Sequence, residues 1–484
     1  MLGLKRSQRV IVPCLEFGLM RITWILIGIT GLLVAGCVMK PKGAVEMETK
    51  LEETGRQYVK PFEKRALPEL PTPATWRDVL YRGLLANGEV ESAYFEWSAA
   101  VQRVTEQGAW PNSNVQVGAD YSLKPSNMKA WDRTTLSVGF DSAMNLSAPI
   151  KIRKQAQVAY QAAQESAQRY RGAKFKVQRQ ILWQYLDLAR MQEQVRIQEE
   201  NLKLLDMLVQ NARSRVQAGA PQQDLLKAQL ELRLSESMLE GDRAQVNSMR
   251  AMLNGMLARN ADAELVVPAG LPAPRELRAT DDRLIAIAVD GNPELAALAA
   301  QVRGRGNAIE LAKMKYIPDI SPTFTNMGDV SRSIGAMVVL PTTIPLIEAT
   351  IRESQAMQRS TEAMLRQTRS DRAASFVATL YTLRNDENQR ALFEERVVPA
   401  AQQALRSSQS AYTGGSVGYA ELIETQRTLL NVKLQIVNLR VDREKRMAEL
   451  EEMAGVDMET LASTAASQPT TGPATMPATM PAIR

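Results

Sequence analysis

The chain contains one passage twice. Asn87-Gly88-Glu89-Val90 leads through a helical pattern to Trp110-Pro111 and an alternating stretch from Val115 to Tyr121. About two hundred residues later, Asn292-Pro293-Glu294-Leu295 leads through a helical pattern to Ile317-Pro318 and an alternating stretch from Ile320 to Phe324. The second halves match too. Gly219 precedes Asp224-Leu225-Leu226-Lys227-Ala228-Gln229, and Gly414-Gly415 precedes Glu421-Leu422-Ile423-Glu424-Thr425-Gln426. Solenoid repeats run roughly 20 to 50 residues, so this period marks one ancestral unit duplicated and fused. The chain must therefore fold as two copies of a unit that is mostly long helix with a little strand.

Within each copy the hydrophobic period changes. Leu202, Leu205, Leu208, Val209, Ala212 and Val216 lie on one helical face. Leu422, Thr425, Leu429, Val432, Ile436 and Leu439 recur at steps of three and four, a heptad-like seam. No proline interrupts Ile150 to Ala220 or Leu346 to Val398. Helices of that length bury their apolar stripes against parallel or antiparallel neighbours, as in bundles and coiled coils. Strand signals are shorter. Val115, Val117, Ala119 and Tyr121 alternate, as do Leu136, Val138 and Phe140; the second copy offers Ile320 to Phe324 and Ile334, Ala336, Val338 and Leu340. Each repeat thus predicts one hairpin-like pair between helices.

Composition excludes most chemistry. There is no histidine, which removes His-based acid–base catalysis, Ser-His-Asp and Cys-His nucleophile systems and His-ligated metal sites. No phosphate loop or nucleophile elbow occurs. The expectation is no enzyme, no cofactor and no metal. The 22 methionines are scattered and read as core filling, not as a thioether path. Net charge is +6, without a dense basic run interleaved with aromatics, so nucleic acid is not an expected partner.

The N-terminus reads as an address. Ile22 to Val34 is a short apolar run with the length of a signal-peptide core, and Ala35-Gly36-Cys37 follows it. Small residues before a cysteine resemble the bacterial lipobox, in which the cysteine is acylated and becomes the new N-terminus. Acyl chains on Cys37 would anchor the chain to lipid. Residues 1–36 are assigned to the signal, with Met20 as a possible true start, and 37–74 to a lipidated linker that is Pro-rich towards its end and has no core of its own. Val38 follows the cysteine in place of the aspartate of the inner-membrane retention signal, which points to the outer membrane. Repeat 1 spans 75–270, a connector with Pro272 and Pro274 spans 271–280, and repeat 2 spans 281–455. The Ser/Thr/Ala/Pro-rich remainder, 456–484, lacks the apolar surface to fold and is expected to be disordered.

Four strands per chain pose a physical problem. In a membrane no open sheet edge is tolerated, and the smallest common membrane barrels have about eight strands. Three copies would supply twelve. Two arrangements satisfy the pattern at this point: a homotrimeric barrel in the membrane, or a small soluble hairpin layer packed on a helical bundle.

Assembled in this order, the residues resemble the outer-membrane efflux protein family, the TolC-like channels. The resemblance covers roughly Thr75 to Gly455. It rests on the two Asn-x-Glu helix starts, on Ile317-Pro318-Asp319-Ile320-Ser321, on Pro345-Leu346, and most specifically on Ala411-Tyr412-Thr413-Gly414-Gly415 with Glu421 to Leu430. It implies a mainly α fold with a small β part: duplicated long helical hairpins forming an α-barrel, and four strands per chain in a trimeric twelve-stranded outer-membrane β-barrel. It further implies a passive exit duct of a tripartite export or type I secretion system, reaching into the periplasm and working with a periplasmic adaptor and an inner-membrane pump. Glu421 and Glu424 align with an acidic pair that lines the periplasmic aperture in some members, where both are aspartates. Three chains would converge six carboxylates, favouring cations; a solvated glutamate at a helix N-terminus is the plainer account of each. Gly219, Ala220, Pro221, Gly414, Gly415, Val417, Gly418 and Tyr419 would form hairpin tips that meet the adaptor. The sequence departs from the family after Pro345-Leu346, where Ile347-Glu348-Ala349-Thr350 replaces a Phe-Asp-Gly-Gly-like run, and at Pro149-Ile150-Lys151-Ile152. The alternative function is a periplasmic coiled-coil scaffold lipoprotein that forms no pore.

Overall fold

The structure is a computed structural model that describes residues 38–109, 115–123, 129–140, 148–277, 279–327 and 330–459. The signal segment, Cys37 and the tail from 460 onward lie outside the described residues. The chain divides into two compact units. The first holds 38–51, 98–163 and 302–359; the second holds 52–97, 164–301 and 360–459. In chain order the elements are α1 (Ala44–Gly55), α2 (Trp76–Ala86), α3 (Gly88–Gly108), β1 (Val115–Tyr121), β2 (Thr134–Phe140), α4 (Pro149–Gln217), α5 (Gln222–Met256), α6 (Asp281–Gly291), α7 (Pro293–Lys313), β3 (Asp319–Met327), β4 (Ser331–Val339), α8 (Ile344–Leu392), α9 (Val398–Thr413) and α10 (Tyr419–Ala454).

The first unit contains a four-stranded antiparallel sheet in the order β1-β2-β3-β4. Tyr121 pairs with Thr134, Thr135 with Met327, and Met327 with Ser331. Each repeat supplies one hairpin, as the alternation predicts, and the hairpins pair with each other through β2 and β3. Strand side chains alternate between faces. The register puts Ala119, Tyr121, Leu136, Ile320, Ile334, Ala336 and Val338 on one face, and Gly118, Asp120, Thr135, Ser137, Thr325, Ser331, Ser333 and Gly335 on the other. One face is mainly apolar, with Thr134, Asn326 and Arg332 at its hairpin end; the other is mainly small and polar, with Asp319 and Met327 on it as well. Among the described residues the outer edges of β1 and β4 have no partner strand.

At the start of α4 the departure at Pro149-Ile150-Lys151-Ile152 has a structural use. Lys151 Nζ donates to the Ile317 carbonyl at 2.7 Å and to Asp319 at 2.8 Å, tying repeat 1 to the strand entry of repeat 2. Ile347 to Thr350 continue α8 without a break.

In the second unit the duplicated asparagines are helix caps. Asn87 Oδ1 accepts the Glu89 and Val90 amides at 2.8 and 3.4 Å; Asn292 Oδ1 accepts the Leu295 amide at 2.9 Å. A short acceptor side chain satisfies amides that the first helical turn leaves free. Asn292 is also buried, with its Nδ2 donating to the Met453 carbonyl at 2.8 Å.

Among the long helices of this unit, α4 packs against α5 and α10, α9 against α10, and α5 also meets α10 through Glu231 and Arg427. Gln194 meets Asp242 at 3.2 Å and Arg243 meets Glu199 at 2.6 Å across α4 and α5. Trp183 Nε1 donates to the Lys445 carbonyl at 3.1 Å, and Gln426 donates to Asn201 at 2.7 Å, across α4 and α10. Ser408 faces Thr425 at 3.2 Å, and Arg443 meets Glu387 at 3.0 Å, where α9 and α8 run beside α10. Between α8 and α9 lies a π-helical turn, Phe393–Val397, in which the Val398 amide reaches back to the Phe393 carbonyl. Pro399 follows immediately; it has no amide to donate and its ring crowds the preceding turn, so the ladder widens there.

The segment 38–74 differs from the expected coreless linker. It contains α1, and Tyr58 is buried with its ring 4.7 Å from Tyr94. Arg65 donates to Glu91 at 2.8 Å, and the Ala74 amide donates to Val266 at 2.8 Å. A few aromatic and apolar positions among polar ones suffice once α3 and α4 offer a surface. Residues 456–459, counted with the expected disordered tail, pack on this unit: Met458 is buried and its amide bonds Glu451, while the remainder of the tail lies outside the described residues.

Candidate functional site

Both tips end in the same backbone device. After α4, the Gly219 amide bonds the Val216 carbonyl and the Ala220 amide bonds Arg215; after α9, the Gly415 amide bonds Tyr412 and the Ser416 amide bonds Ala411. This is a Schellman closure, which needs a left-handed residue at its centre. Gly219 has φ +100° and Gly415 has φ +77°. Gly414, in contrast, sits at an ordinary φ of −74°. The repeat therefore aligns on Gly219 and Gly415, and Gly414 is not the turn residue.

Below the turns the two hairpins share one core: Leu205, Leu208 and Ala212 of α4, Ala228 of α5, Leu405 and Tyr412 of α9, and Tyr419, Leu422 and Leu429 of α10. Tyr412 and Tyr419 pack edge to face at 6.1 Å. The Arg215 guanidinium lies 4.2 Å from the Tyr412 ring centroid and donates to the Tyr412 carbonyl at 2.6 Å. Arg427 holds Glu231 by two hydrogen bonds, 3.1 and 2.6 Å.

Glu421 and Glu424 are both exposed, while Leu422, Ile423 and Gln426 between and after them are buried. Residues three apart share a helix face, so the two carboxylates point to solvent together from the first turns of α10. The Gly418 cap supplies no side-chain acceptor there, and the helix N-terminus favours acidic groups. Gly219, Pro221, Gly414, Gly415 and Gly418 are exposed; Ala220 and Val417 are half-buried. Tyr419, expected at the tip surface, is 2 % exposed and belongs to the core. Burial pushes its phenol well above the usual tyrosine range, and its hydroxyl has no hydrogen-bond partner among the described residues.

The sequence reading missed Arg215, Asn201, Glu231 and Arg427. Arg427 lies inside the quoted motif, next to Gln426. Its partner Glu231, and the Asn201–Gln426 pair, are brought in from the other repeat, which no local pattern announces. Among the described residues no group of acidic or cysteine side chains is placed to hold a metal ion, and no helix is long and apolar enough to cross a membrane.

Comparison with known proteins agrees with this geometry. Residues 284–456 match the family model for outer membrane efflux protein. No curated protein sequence matches the chain. Among solved structures, the outer membrane protein VceC of Vibrio cholerae superposes with a TM-score of 0.66 at 16% identity, covering 79% of this chain and 96% of that one. A membrane protein from Pseudomonas aeruginosa gives 0.68 at 16% identity, covering 79% and 90%. The open-state MtrE outer membrane channel of Neisseria gonorrhoeae gives 0.64 at 15% identity, covering 79% and 89%. Residues 284–456 thus match the outer membrane efflux protein model, and the fold of the chain is that of these outer-membrane structures.

Proposed function

We propose that this protein is the outer-membrane exit duct of a tripartite efflux or type I secretion system, acting as a homotrimer without chemistry of its own. The observation that carries the reading is the sheet: one mainly apolar face, one mainly small and polar face and, among the described residues, two unpaired outer edges. Lipid tolerates neither free edge, and water does not reward the apolar face. Three copies joined β4 to β1 remove every edge, turn the apolar faces to lipid and line a lumen with glycine, serine and threonine. The anchor is Cys37. Energy comes from an inner-membrane pump joined through a periplasmic adaptor, which meets the tips at Gly219, Ala220, Pro221, Gly414, Gly415, Val417 and Gly418. Glu421 and Glu424 from three chains form the acidic ring of the periplasmic aperture, which enriches cations near the axis.

Planar-bilayer conductance of the purified, acylated protein tests this, with Glu421→Gln/Glu424→Gln beside the wild type. Stepwise channels whose cation preference drops in the double variant are expected. Channels indifferent to the change remove the ring and keep the duct. Silence that persists after the tip is loosened by Arg427→Ala replaces the duct with a pore-less scaffold.

A further inference from the structure

In the second unit, a cavity of about 140 Å³ lies where the connector crosses the long helices. Part of its wall is apolar: the buried Leu186 of α4 and Val441 of α10, and the half-buried Leu271 and Pro272 of the connector. An apolar cavity of about 150 Å³ holds one benzene ring, so the space suits a body of that size. A small, mostly apolar hollow with a few converging polar groups is the usual form of a ligand site.

The rest of the wall is charged. Arg390 of α8 lines it with Arg440, Arg443 and Glu444 of α10, three guanidiniums to one carboxylate. Glu444 is already held by Arg275 at 3.0 Å and by Arg443. Arg443 is occupied by Glu444 and by Glu387, 3.0 Å away. Arg440 gives its Nε and Nη2 to Glu394 at 2.8 and 2.6 Å. Arg390 reaches the same Glu394 only at 3.5 Å, through Nη1. Its Nε is buried and has no hydrogen-bond partner among the described residues. A buried donor left in that state costs free energy, which an incoming acceptor relieves. Glu394 itself belongs to the π-helical turn Phe393–Val397, and such turns recur at functional sites.

We infer that this cavity binds a small carboxylate carrying one ring. The carboxylate accepts from Arg390, which Glu394 holds at the greater distance, with Arg440 beside it. The ring packs on Leu186, Leu271, Pro272 and Val441. A guanidinium presents a planar fork that matches a carboxylate at two points. Once seated, the ligand joins the connector to α8 and α10 next to the π-helical turn. The site is built within one unit of one chain and does not depend on the trimeric reading.

Titration calorimetry of the full-length protein in detergent with benzoate tests it, against detergent alone and beside benzyl alcohol and acetate. Benzyl alcohol lacks the charge and acetate lacks the ring. Saturable benzoate binding is expected, about tenfold or more tighter than either. Arg390→Gln should weaken benzoate by a similar factor. Leu271→Trp, which leaves every charge in place and fills the space from the connector, should abolish binding. Arg352→Gln, an exposed arginine of α8 paired with Glu348, should leave it unchanged. Bound benzoate should also slow amide exchange at 271–277 and 390–397. Benzoate that does not bind, that binds no better than benzyl alcohol or acetate, or that binds undiminished to Arg390→Gln or Leu271→Trp, overturns the site. So does binding that leaves the exchange of both segments unchanged.

Discussion

Replacing Arg275 by methionine isolates a buried charge cluster. Arg275 sits in the connector between the repeats with its side chain 8 % exposed. Its Nη1 donates to both Glu451 oxygens at 2.8 and 2.9 Å, its Nε donates to Glu444 at 3.0 Å, and its backbone amide donates to Glu444 at 3.2 Å. Glu444 keeps Arg443 when Arg275 is removed; Glu451 keeps only the Met458 amide at 3.3 Å. Burial pushes the Glu451 carboxyl from 4.5 up to about 6, more than Arg275, which it shares with Glu444, pulls it down. Because the folded value is the higher one, the folded state holds the extra proton between the two; this contribution favours folding below pH 4.5 and is lost as pH rises through 6. At neutral pH the ionised Glu451 thus costs the wild type about 2 kcal/mol. In Arg275→Met the carboxyl loses the guanidinium that pulls it down and rises further, so it stays protonated across the assay range. Folding must then take up a proton, at about 3.4 kcal/mol at pH 7 and about 4.8 at pH 8. The difference from wild type is near zero at pH 5.5, about 1.4 kcal/mol at pH 7 and about 2.7 at pH 8, added to a pH-independent loss of the remaining contacts. Amide hydrogen exchange of residues 271–277, corrected for the intrinsic pH dependence, reads it. Relative to wild type, protection should fall by a further factor of about ten per pH unit above 7. Adding Glu451→Gln should flatten that slope. A pH-independent penalty, or a slope that survives Glu451→Gln, would refute the reasoning.

The remaining predictions concern the tips. Gly415→Ala forces a left-handed alanine and should cost about 1–2 kcal/mol of tip stability; Gly414→Ala, at a helical φ with only ordinary contacts, should be neutral or stabilising by up to about 1 kcal/mol, both read by exchange of the 411–418 amides. Equal effects would mean that Gly415 does not carry the turn. Tyr419→Phe removes a buried hydroxyl that has no partner among the described residues and should leave stability and adaptor binding unchanged or improved. Tyr419→Ala should lose about 3–5 kcal/mol by emptying the shared core. Loss of adaptor affinity in the phenylalanine variant, with stability intact, would return Tyr419 to the contact surface.

What could be read in the chain alone was whatever is written by short-range rules. The asparagine caps, the glycine turns, the proline-free helices and the alternating strands each depend on a few neighbours in sequence, and the duplication prints each rule twice. The four-strand count already required a partner if the strands lie in a membrane, and none if they form a soluble hairpin layer. Elements missed or misplaced depended on residues brought from far away. Tyr419 lies on a turn and reads as exposed, yet Tyr412, Leu205 and Leu422 enclose it. The polar-looking 38–74 segment is ordered by Tyr94 and Glu91, which its own composition does not reveal. Gly414 and Gly415 are indistinguishable as letters; only the backbone path assigns φ +77° to the second. Arg275, an ordinary connector arginine in sequence, becomes the hub of a buried network because α10 places Glu444 and Glu451 seven residues, two helical turns, apart on the face it meets. Local propensity and period thus fixed the elements and their order, since they are set by steric limits within a turn or a strand. Burial, charge pairing and register between the two repeats were decided by the tertiary structure, because they depend on which distant surfaces exclude water from one another.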